Sequence, residues 1–164
     1  MGILDWVPRT QRSTRPPRAG GNATLTAVDV RLLVRAEVDD EALSRLHARA
    51  FGGRPALQEW GTRLSRHSLT WISAHDGRDH LIGFVNVAWD GGTHAFALDV
   101  IVDPDHQGRG VGTALVERAA HESTAAGCDW LHVDFEEDLS DFYLRACGFS
   151  PTAAGVLRLE QRVI

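Results

Sequence analysis

Lysine is absent from this chain of 164 residues, so all 17 basic residues are arginine. A nucleotide-triphosphate-binding loop of the Walker type needs a lysine beside the phosphates, and the lack of lysine excludes that class. Cysteine is scarce, because Cys128 and Cys147 are the only two and do not form a closely spaced pair. The sequence therefore predicts neither a disulfide framework nor a metal site.

Long apolar segments are missing as well. No run of about 18 apolar residues occurs, which excludes a membrane-spanning helix, and the N-terminus has no apolar signal core. The net charge of −5 disfavours binding to a phosphate backbone. We therefore expect a cytoplasmic protein that binds neither membranes nor nucleic acids.

The length is typical of one domain. Residues 1–27 combine arginine, proline and glycine without an apolar period, so we predict that they form a flexible extension. We predict that residues 28–164 form a single domain.

The hydrophobic periodicity of that domain predicts a mixed α/β fold. Helices are expected to begin at Asp39 or Asp40, near Pro55, at Val111 and near Asp138. The predicted strands span 30–35, 69–75, 81–89, 94–102, 129–135, 149–152 and 156–162. We expect a mixed, mostly antiparallel sheet of about seven strands flanked by about four helices.

The most informative stretch is an apolar strand that runs into three glycines at the start of a helix. Gly108, Gly110 and Gly112 allow the backbone to approach a phosphate, and the unpaired N–H groups of the first helical turn point toward it. Thr113 stands where a dinucleotide-binding loop has its third glycine, which disfavours that fold. The stretch predicts a site for a phosphate or pyrophosphate.

Two motifs in this order resemble the GNAT superfamily of N-acetyltransferases. The first is Gln-x-x-Gly-x-Gly at 107–112, preceded by Val-x-Pro at 102–104, which is similar to the acyl-CoA signature of that family. The second joins Phe142-Tyr143 to Gly148-Phe149 about thirty residues later. The resemblance covers residues 29–164 and implies a sheet that splays between its fourth and fifth strands.

The resemblance also implies acetyl-CoA as the acyl donor and assigns residues to its binding. Main-chain groups of Val100 and Val102 would contact the thioester and the pantetheine arm, and the segment 107–113 would hold the pyrophosphate. Tyr143 would protonate the departing thiolate. The implied contact residues are Val100, Ile101, Val102, Gln107, Gly108, Arg109, Gly110, Val111, Gly112, Thr113 and Tyr143.

Three carboxylates are candidates for receiving the acceptor amine or its proton. Glu136 stands seven residues before Tyr143, where relatives often have an asparagine, and clustered acids beside an apolar site suit this role. Asp99 lies on the strand before the expected splay, and Asp134 lies on the next strand. Many members of the GNAT superfamily use no dedicated side-chain base and pass the proton through water, and the resemblance favours that route over a base role for any one of these three carboxylates.

The resulting expectation is an N-acetyltransferase that acetylates a primary amine of a small molecule or peptide by direct attack of the amine. The alternatives are a non-catalytic acyl-CoA sensor and a protein-interaction module on the same fold. Trp60, Trp71 and Trp89 either line an acceptor pocket or pack in the core. The sequence leaves a homodimer open.

Overall fold

The computed structural model describes residues 30–159. The predicted flexible extension, residues 1–27, lies outside them. The strands are β1 Arg31–Val34, β2 Ser68–His75, β3 Leu81–Trp89, β4 His94–Val102 and β5 Trp130–Val133, and the α-helices are α1 Asp40–Phe51, α2 Trp60–His67 and α3 Val111–Ala125. Two 3₁₀ turns, Pro104–His106 and Glu137–Leu139, and a π-helix, Asp141–Ala146, complete the described elements. Across residues 30–159, no helix is both long and apolar enough to cross a membrane.

The strands form one mixed sheet in the order β1-β2-β3-β4-β5. All neighbours are antiparallel except β4 and β5, which run parallel. That parallel pairing begins at His94 and Trp130 and stops at Ala97 and Val133, whereas β4 itself continues to Val102. Residues 98–102 of β4 therefore have no partner in β5, at the place where the resemblance implies a splay.

Helices cover both faces of the sheet. Helix α3 packs on one face, over a core that includes Ile72, Val85, Ala95, Ala97 and Leu115. Helices α1 and α2 pack on the other face, over Leu43, Trp60, Leu64, Phe84 and Ile101. Alternate residues of each strand point to opposite faces, so the side chains of β4 divide between the two layers.

A glycine on β3 allows α3 to approach the sheet closely. A Cβ atom added to Gly83 would lie 2.9 Å from Leu115 Cδ1, 3.2 Å from Val111 Cγ1 and 3.2 Å from the carbonyl oxygen of Ile101. A larger side chain would require the Leu115 side chain to shift and would crowd Val111 and the Ile101 carbonyl oxygen. The first half of α3 is thereby held against the end of β4.

The closing strands of the prediction do not form in the described part of the chain. Residues 149–159 have irregular structure, and residues 160–162 lie outside the described range. Val156, Leu157 and Leu159 are exposed by 82 to 87%. A strand needs a partner to satisfy its backbone, and the apolar pattern alone did not provide one. Five strands are observed, so the expected number of about seven is not confirmed.

The predicted helix starts are partly right. The Asp39 side chain caps α1, because Oδ1 accepts hydrogen bonds from the N–H groups of Glu41 and Ala42 at 2.9 and 3.0 Å. Helix α2 begins at Trp60 rather than near Pro55. The Trp60 indole donates to Ser44 Oγ at 3.0 Å, which anchors the start of α2 on α1.

The close approach at Gly83 generates a stability prediction. We expect Gly83→Ala to lower the free energy of unfolding by about 1–3 kcal/mol, the usual cost of overpacking. Gly77→Ala is the control, because a Cβ atom at Gly77 has no heavy atom within 4 Å. Urea denaturation followed by circular dichroism measures both variants. Equal stability of the two would contradict the proposed role of Gly83.

Candidate active site

The loop between β4 and α3 depends on glycine for its backbone conformation. Gly108 has φ +72° and Gly110, the N-cap of α3, has φ +81°, a region that other residues rarely adopt. A Cβ atom at either position would meet no heavy atom within 4 Å. The surface beside the loop is therefore open to a bound group.

The N-terminus of α3 has the properties of an anion site. The helix has 15 residues, no side chain caps its N-terminus, and its first turn contains no acidic residue. The first N–H groups of a helix lack intrahelical partners, and the helix dipole is positive at this end. Together with the open surface at Gly108 and Gly110, this end of α3 has room and polarity for a phosphate or pyrophosphate group.

The glycine loop is fastened to the end of β4. The Gln107 side-chain amide donates to the carbonyl oxygen of Val102 at 3.2 Å. The buried Asp103 carboxylate accepts from the N–H of Asp105 at 3.0 Å, and its Oδ2 lies 3.1 Å from Nη1 of Arg49 on α1. The loop is thus tied to both β4 and α1.

The two motifs of the sequence meet in space. A Cβ atom on Gly112 would lie 3.1 Å from Cζ of Phe142, so glycine allows α3 to pack against the π-helix. Because β4 and β5 are parallel, their C-terminal ends lie at the same edge of the sheet. The glycine loop follows β4 and the π-helix follows β5, so both line this edge.

Tyr143 lies in the π-helix with its ring in an aromatic cluster. It is 5% exposed, and its ring centroid lies 4.8 Å from Phe135, 4.7 Å from Phe142 and 5.8 Å from Phe149. Burial raises the pKa of the Tyr143 phenol to about 12. The hydroxyl therefore stays protonated at physiological pH and can act as a donor.

Asp99 lies at a β-bulge in β4. The register passes from Asn86 opposite Leu98 to Phe84 opposite Ile101, which leaves two residues of β4 opposite one residue of β3. Asp99 has φ +51°, and the bulge directs its carboxylate toward α1 and α2. Its Oδ2 accepts from Nη2 of Arg63 at 2.8 Å, and its Oδ1 lies 3.6 Å from Nε2 of His47.

The family model of the GNAT acetyltransferases matches residues 34–149. The chain belongs to the GNAT acetyltransferase family. It is 32% identical over 117 residues to a chloroplastic serotonin N-acetyltransferase 2 of Oryza sativa subsp. japonica, an alignment that covers 69% of this chain and 57% of that protein. This GNAT chain spans about half the length of the curated relatives it matches.

Solved structures share the fold. A glucosamine-6-phosphate N-acetyltransferase from Arabidopsis thaliana superposes with a TM-score of 0.66 at 16% identity, covering 79% of this chain and 97% of that chain. An aminoglycoside N-acetyltransferase in complex with CoA superposes with a TM-score of 0.67 at 18% identity, covering 85% and 100%. At these identities the likeness establishes the GNAT fold alone.

Five further residues that were predicted to belong to the site lie either on β4 or directly after β5. Ile101 is 2% exposed in the core beneath α1 and α2, and the side chains of Val100 and Val102 pack toward α3. These three residues can therefore contact a ligand only through their main chain. Asp134 and Glu136 follow β5 and are exposed.

Val111 and Thr113, two more of the predicted contact residues, lie in the first turn of α3. Val111 is 2% exposed and packs in the α3-side core, so its main chain alone is available to a ligand. Thr113 is the third residue of α3 and hydrogen-bonds the Cys147 thiol, whose pKa is nevertheless raised, mainly by burial. Arg109 is exposed between the two glycines of the loop.

The sequence does not predict that His47 and Arg63 contact Asp99. His47 follows the helical spacing of α1 and reads as a packing residue, and no local pattern reveals that a bulge turns Asp99 toward it. Of the tryptophans, Trp60 is 1% exposed and belongs to the core, whereas Trp89 is 41% exposed. Trp71 is half-buried and donates from its indole to the carbonyl oxygen of Ala36 at 2.8 Å.

The buried phenol can be titrated directly, because Tyr143 is the only tyrosine in the chain. We expect phenolate absorbance to reach its midpoint near pH 12, above the ordinary value of 10.0. The folded state then binds the proton more tightly than the unfolded state, so the free energy of unfolding decreases as the pH rises from 10 toward 12. A midpoint near 10 in protein that circular dichroism shows to be folded would contradict the burial argument. Tyr143→Phe should give no phenolate signal.

Proposed function

We propose that this GNAT protein transfers the acetyl group of acetyl-CoA to a primary amine. The observation that carries the proposal is the contact of Gly112 with Phe142, which joins the glycine-opened end of α3 to the π-helix of Tyr143. This contact lies at the edge where β4 parts from β5. Family membership supports acetyl-CoA as the donor.

The donor would be held mainly by backbone groups. Amides of the loop from Gln107 to Thr113 bind the pyrophosphate, with Arg109 adding positive charge. The main chain of β4 at Val100, Ile101 and Val102 binds the pantetheine arm and the thioester, because this stretch has left β5. Backbone donors directed at the thioester carbonyl stabilise the oxyanion that forms there.

Chemistry proceeds by direct attack. The amine nitrogen attacks the thioester carbonyl carbon, a C–N bond forms, and the C–S bond breaks with CoA leaving as a thiolate. The Tyr143 hydroxyl donates a hydrogen bond and then a proton to the departing sulfur. Holding both substrates at one edge of the sheet supplies much of the rate.

The acceptor lies on the face of β4 that α1 and α2 flank. The Asp99 carboxylate lies on this face, where side chains from α1 and α2 hold it in one position. Phe96 and Leu98, which are 41 and 44% exposed, offer apolar surface to the carbon skeleton. Similar proteins are named for amines as different as serotonin, glucosamine 6-phosphate and aminoglycosides, which supports an amine as the acceptor class.

Donor binding is tested by a matched pair of glycine variants. Gly110→Val places a side chain in the proposed cradle, and we expect it to weaken acetyl-CoA binding at least about tenfold, or 1.4 kcal/mol, in isothermal titration. Gly127→Val is the control, because Gly127 has φ +91° and no heavy atom within 4 Å of an added Cβ atom, yet follows the other end of α3. Both substitutions carry the same kind of backbone strain.

Equal affinities of the two valine variants would contradict the cradle. Thermal unfolding of both variants, measured in the absence of acetyl-CoA, separates a lost contact from a lost fold. If the unmodified protein does not bind acetyl-CoA, the proposed function is wrong and the protein-interaction alternative is favoured.

Turnover is tested by the release of CoA thiol in the presence of amines. We expect release with at least one amine of a panel of 2-phenylethylamine, serotonin and glucosamine 6-phosphate. Tyr143→Phe should lower kcat about 100-fold, the usual minimum for a lost general acid, without loss of acetyl-CoA binding. Acetyl-CoA binding without thiol release on any amine would instead favour the non-catalytic sensor.

A further inference from the structure

Asp99, His47 and Arg63 form a cluster that brings together β4, α1 and α2. The Asp99 side chain is 12% exposed and His47 is 14% exposed, so both groups are largely removed from water. Arg63 lies over the Trp60 ring, with Cζ 4.1 Å from its centroid, and donates to Asp99 Oδ2 at 2.8 Å. Asp99 and His47 are therefore largely desolvated, and Arg63, which is 42% exposed, is held by its contacts with Asp99 and the Trp60 ring.

The backbone at Asp99 indicates that this geometry is maintained at a cost. A residue other than glycine with φ +51° is uncommon in a strand, and such conformations persist where the surrounding structure holds them. Asp99 comes directly before Val100, whose main chain is proposed to contact the thioester. The strained residue thus lies beside the place where the chemistry is proposed to occur.

We propose that His47, held by Asp99, accepts the proton that the acceptor ammonium group must lose before it attacks the thioester. This inference rests on the proposed acetyltransferase function and goes beyond it, since it assigns the proton to a residue on α1. Asp99 acts as a positioning residue, and Arg63 fixes Asp99.

The contacts of the carboxylate favour the imidazole as the acceptor. Both oxygens of Asp99 face side chains of this protein, Oδ2 toward Arg63 and Oδ1 toward His47. Nε2 of His47 faces Asp99, which leaves Nδ1 as the nitrogen that can take a proton from a substrate. An imidazolium formed in this way would lie 3.6 Å from a carboxylate oxygen, which stabilises its charge as in other aspartate–histidine pairs.

The surroundings of His47 suit a substrate with an apolar skeleton. The imidazole contacts the rings of Phe51 and Trp60 at centroid distances of 4.7 and 5.4 Å. Phe51 is 61% exposed, so the aromatic contact on this side of the ring borders solvent. Phe96 and Leu98 project from β4 on the same face of the sheet, since Ala95 and Ala97 point to α3.

The protons balance in the proposed sequence. The ammonium group gives one proton to Nδ1 of His47, and the free amine forms the C–N bond as the C–S bond breaks. The second proton that nitrogen loses reaches the sulfur by way of the Tyr143 hydroxyl, which gives up one proton and regains another. His47 then releases its proton to water, so the products are the amide, CoA thiol and one proton.

Chemical rescue distinguishes a proton acceptor from a packing residue. We expect His47→Ala to lower kcat/KM for the fastest amine of the panel about 100-fold, with acetyl-CoA affinity unchanged. Added imidazole should restore at least about a tenth of the lost activity. Pyrazole has the same size and is a far weaker base, so it should restore none.

Two further variants serve as matched controls. His121→Ala should keep full activity, because His121 is 73% exposed on α3 and lies outside the cluster. Asp99→Asn should lower activity without rescue by imidazole, since the ring of His47 still fills its place. Should His47→Ala fail to fold, His47→Gln keeps most of the side-chain volume and is expected to lose activity to the same extent.

Retention of at least about a third of the wild-type kcat/KM by folded His47→Ala or His47→Gln would overturn the proposal. Equal rescue by pyrazole and imidazole would also overturn it, because it would assign His47 to packing. Failure of the unmodified protein to release thiol with every amine would be a failure of the acetyltransferase function itself. These results are distinguishable, since the first two require an active wild-type protein.

Discussion

The parting of β4 from β5 after Ala97 is the feature on which the candidate site depends. Parallel pairing covers only four residue pairs, from His94 with Trp130 to Ala97 with Val133. The bulge at Asp99 follows at once, and a bulge bends its strand and increases the local twist. Two features therefore meet on β4: its backbone groups beyond Ala97 have no partner in β5, and the bulge turns a carboxylate toward α1 and α2.

Glycines then bring α3 to this edge. Gly83 allows the helix to rest on β3 and β4, and Gly112 allows its first turn to contact Phe142. The helix N-terminus, the end of β4 and the π-helix are consequently held together by close packing, since an added Cβ atom would lie 2.9 Å from its nearest neighbour at Gly83 and 3.1 Å at Gly112. The acid–base groups are divided between the two faces of the sheet: Tyr143 is on the π-helix that contacts α3, and the Asp99 cluster is under α1 and α2.

The parts of this arrangement that could be predicted from sequence are local. The positive φ at Gly110 and the start of α3 follow from residue types, as does the Asp39 cap of α1. The neighbours of Asp99 could not be predicted, because His47 and Arg63 are 52 and 36 residues away and a bulge sets their meeting. The predicted closing strands are not found in residues 149–159 for a related reason. The apolar residues of 156–159 need a pairing partner that the local pattern does not specify.

Hydrogen exchange in the presence and absence of acetyl-CoA reports on the backbone groups that are proposed to bind the donor. We expect acetyl-CoA to slow amide exchange in two segments, the end of β4 from Leu98 to Val102 and the loop from Gln107 to Thr113. The β2–β3 turn around Gly77 should exchange at the same rate in both conditions. Protection confined to segments other than the two named, or no protection at saturating acetyl-CoA, would contradict the assignment of this edge of the sheet as the donor site.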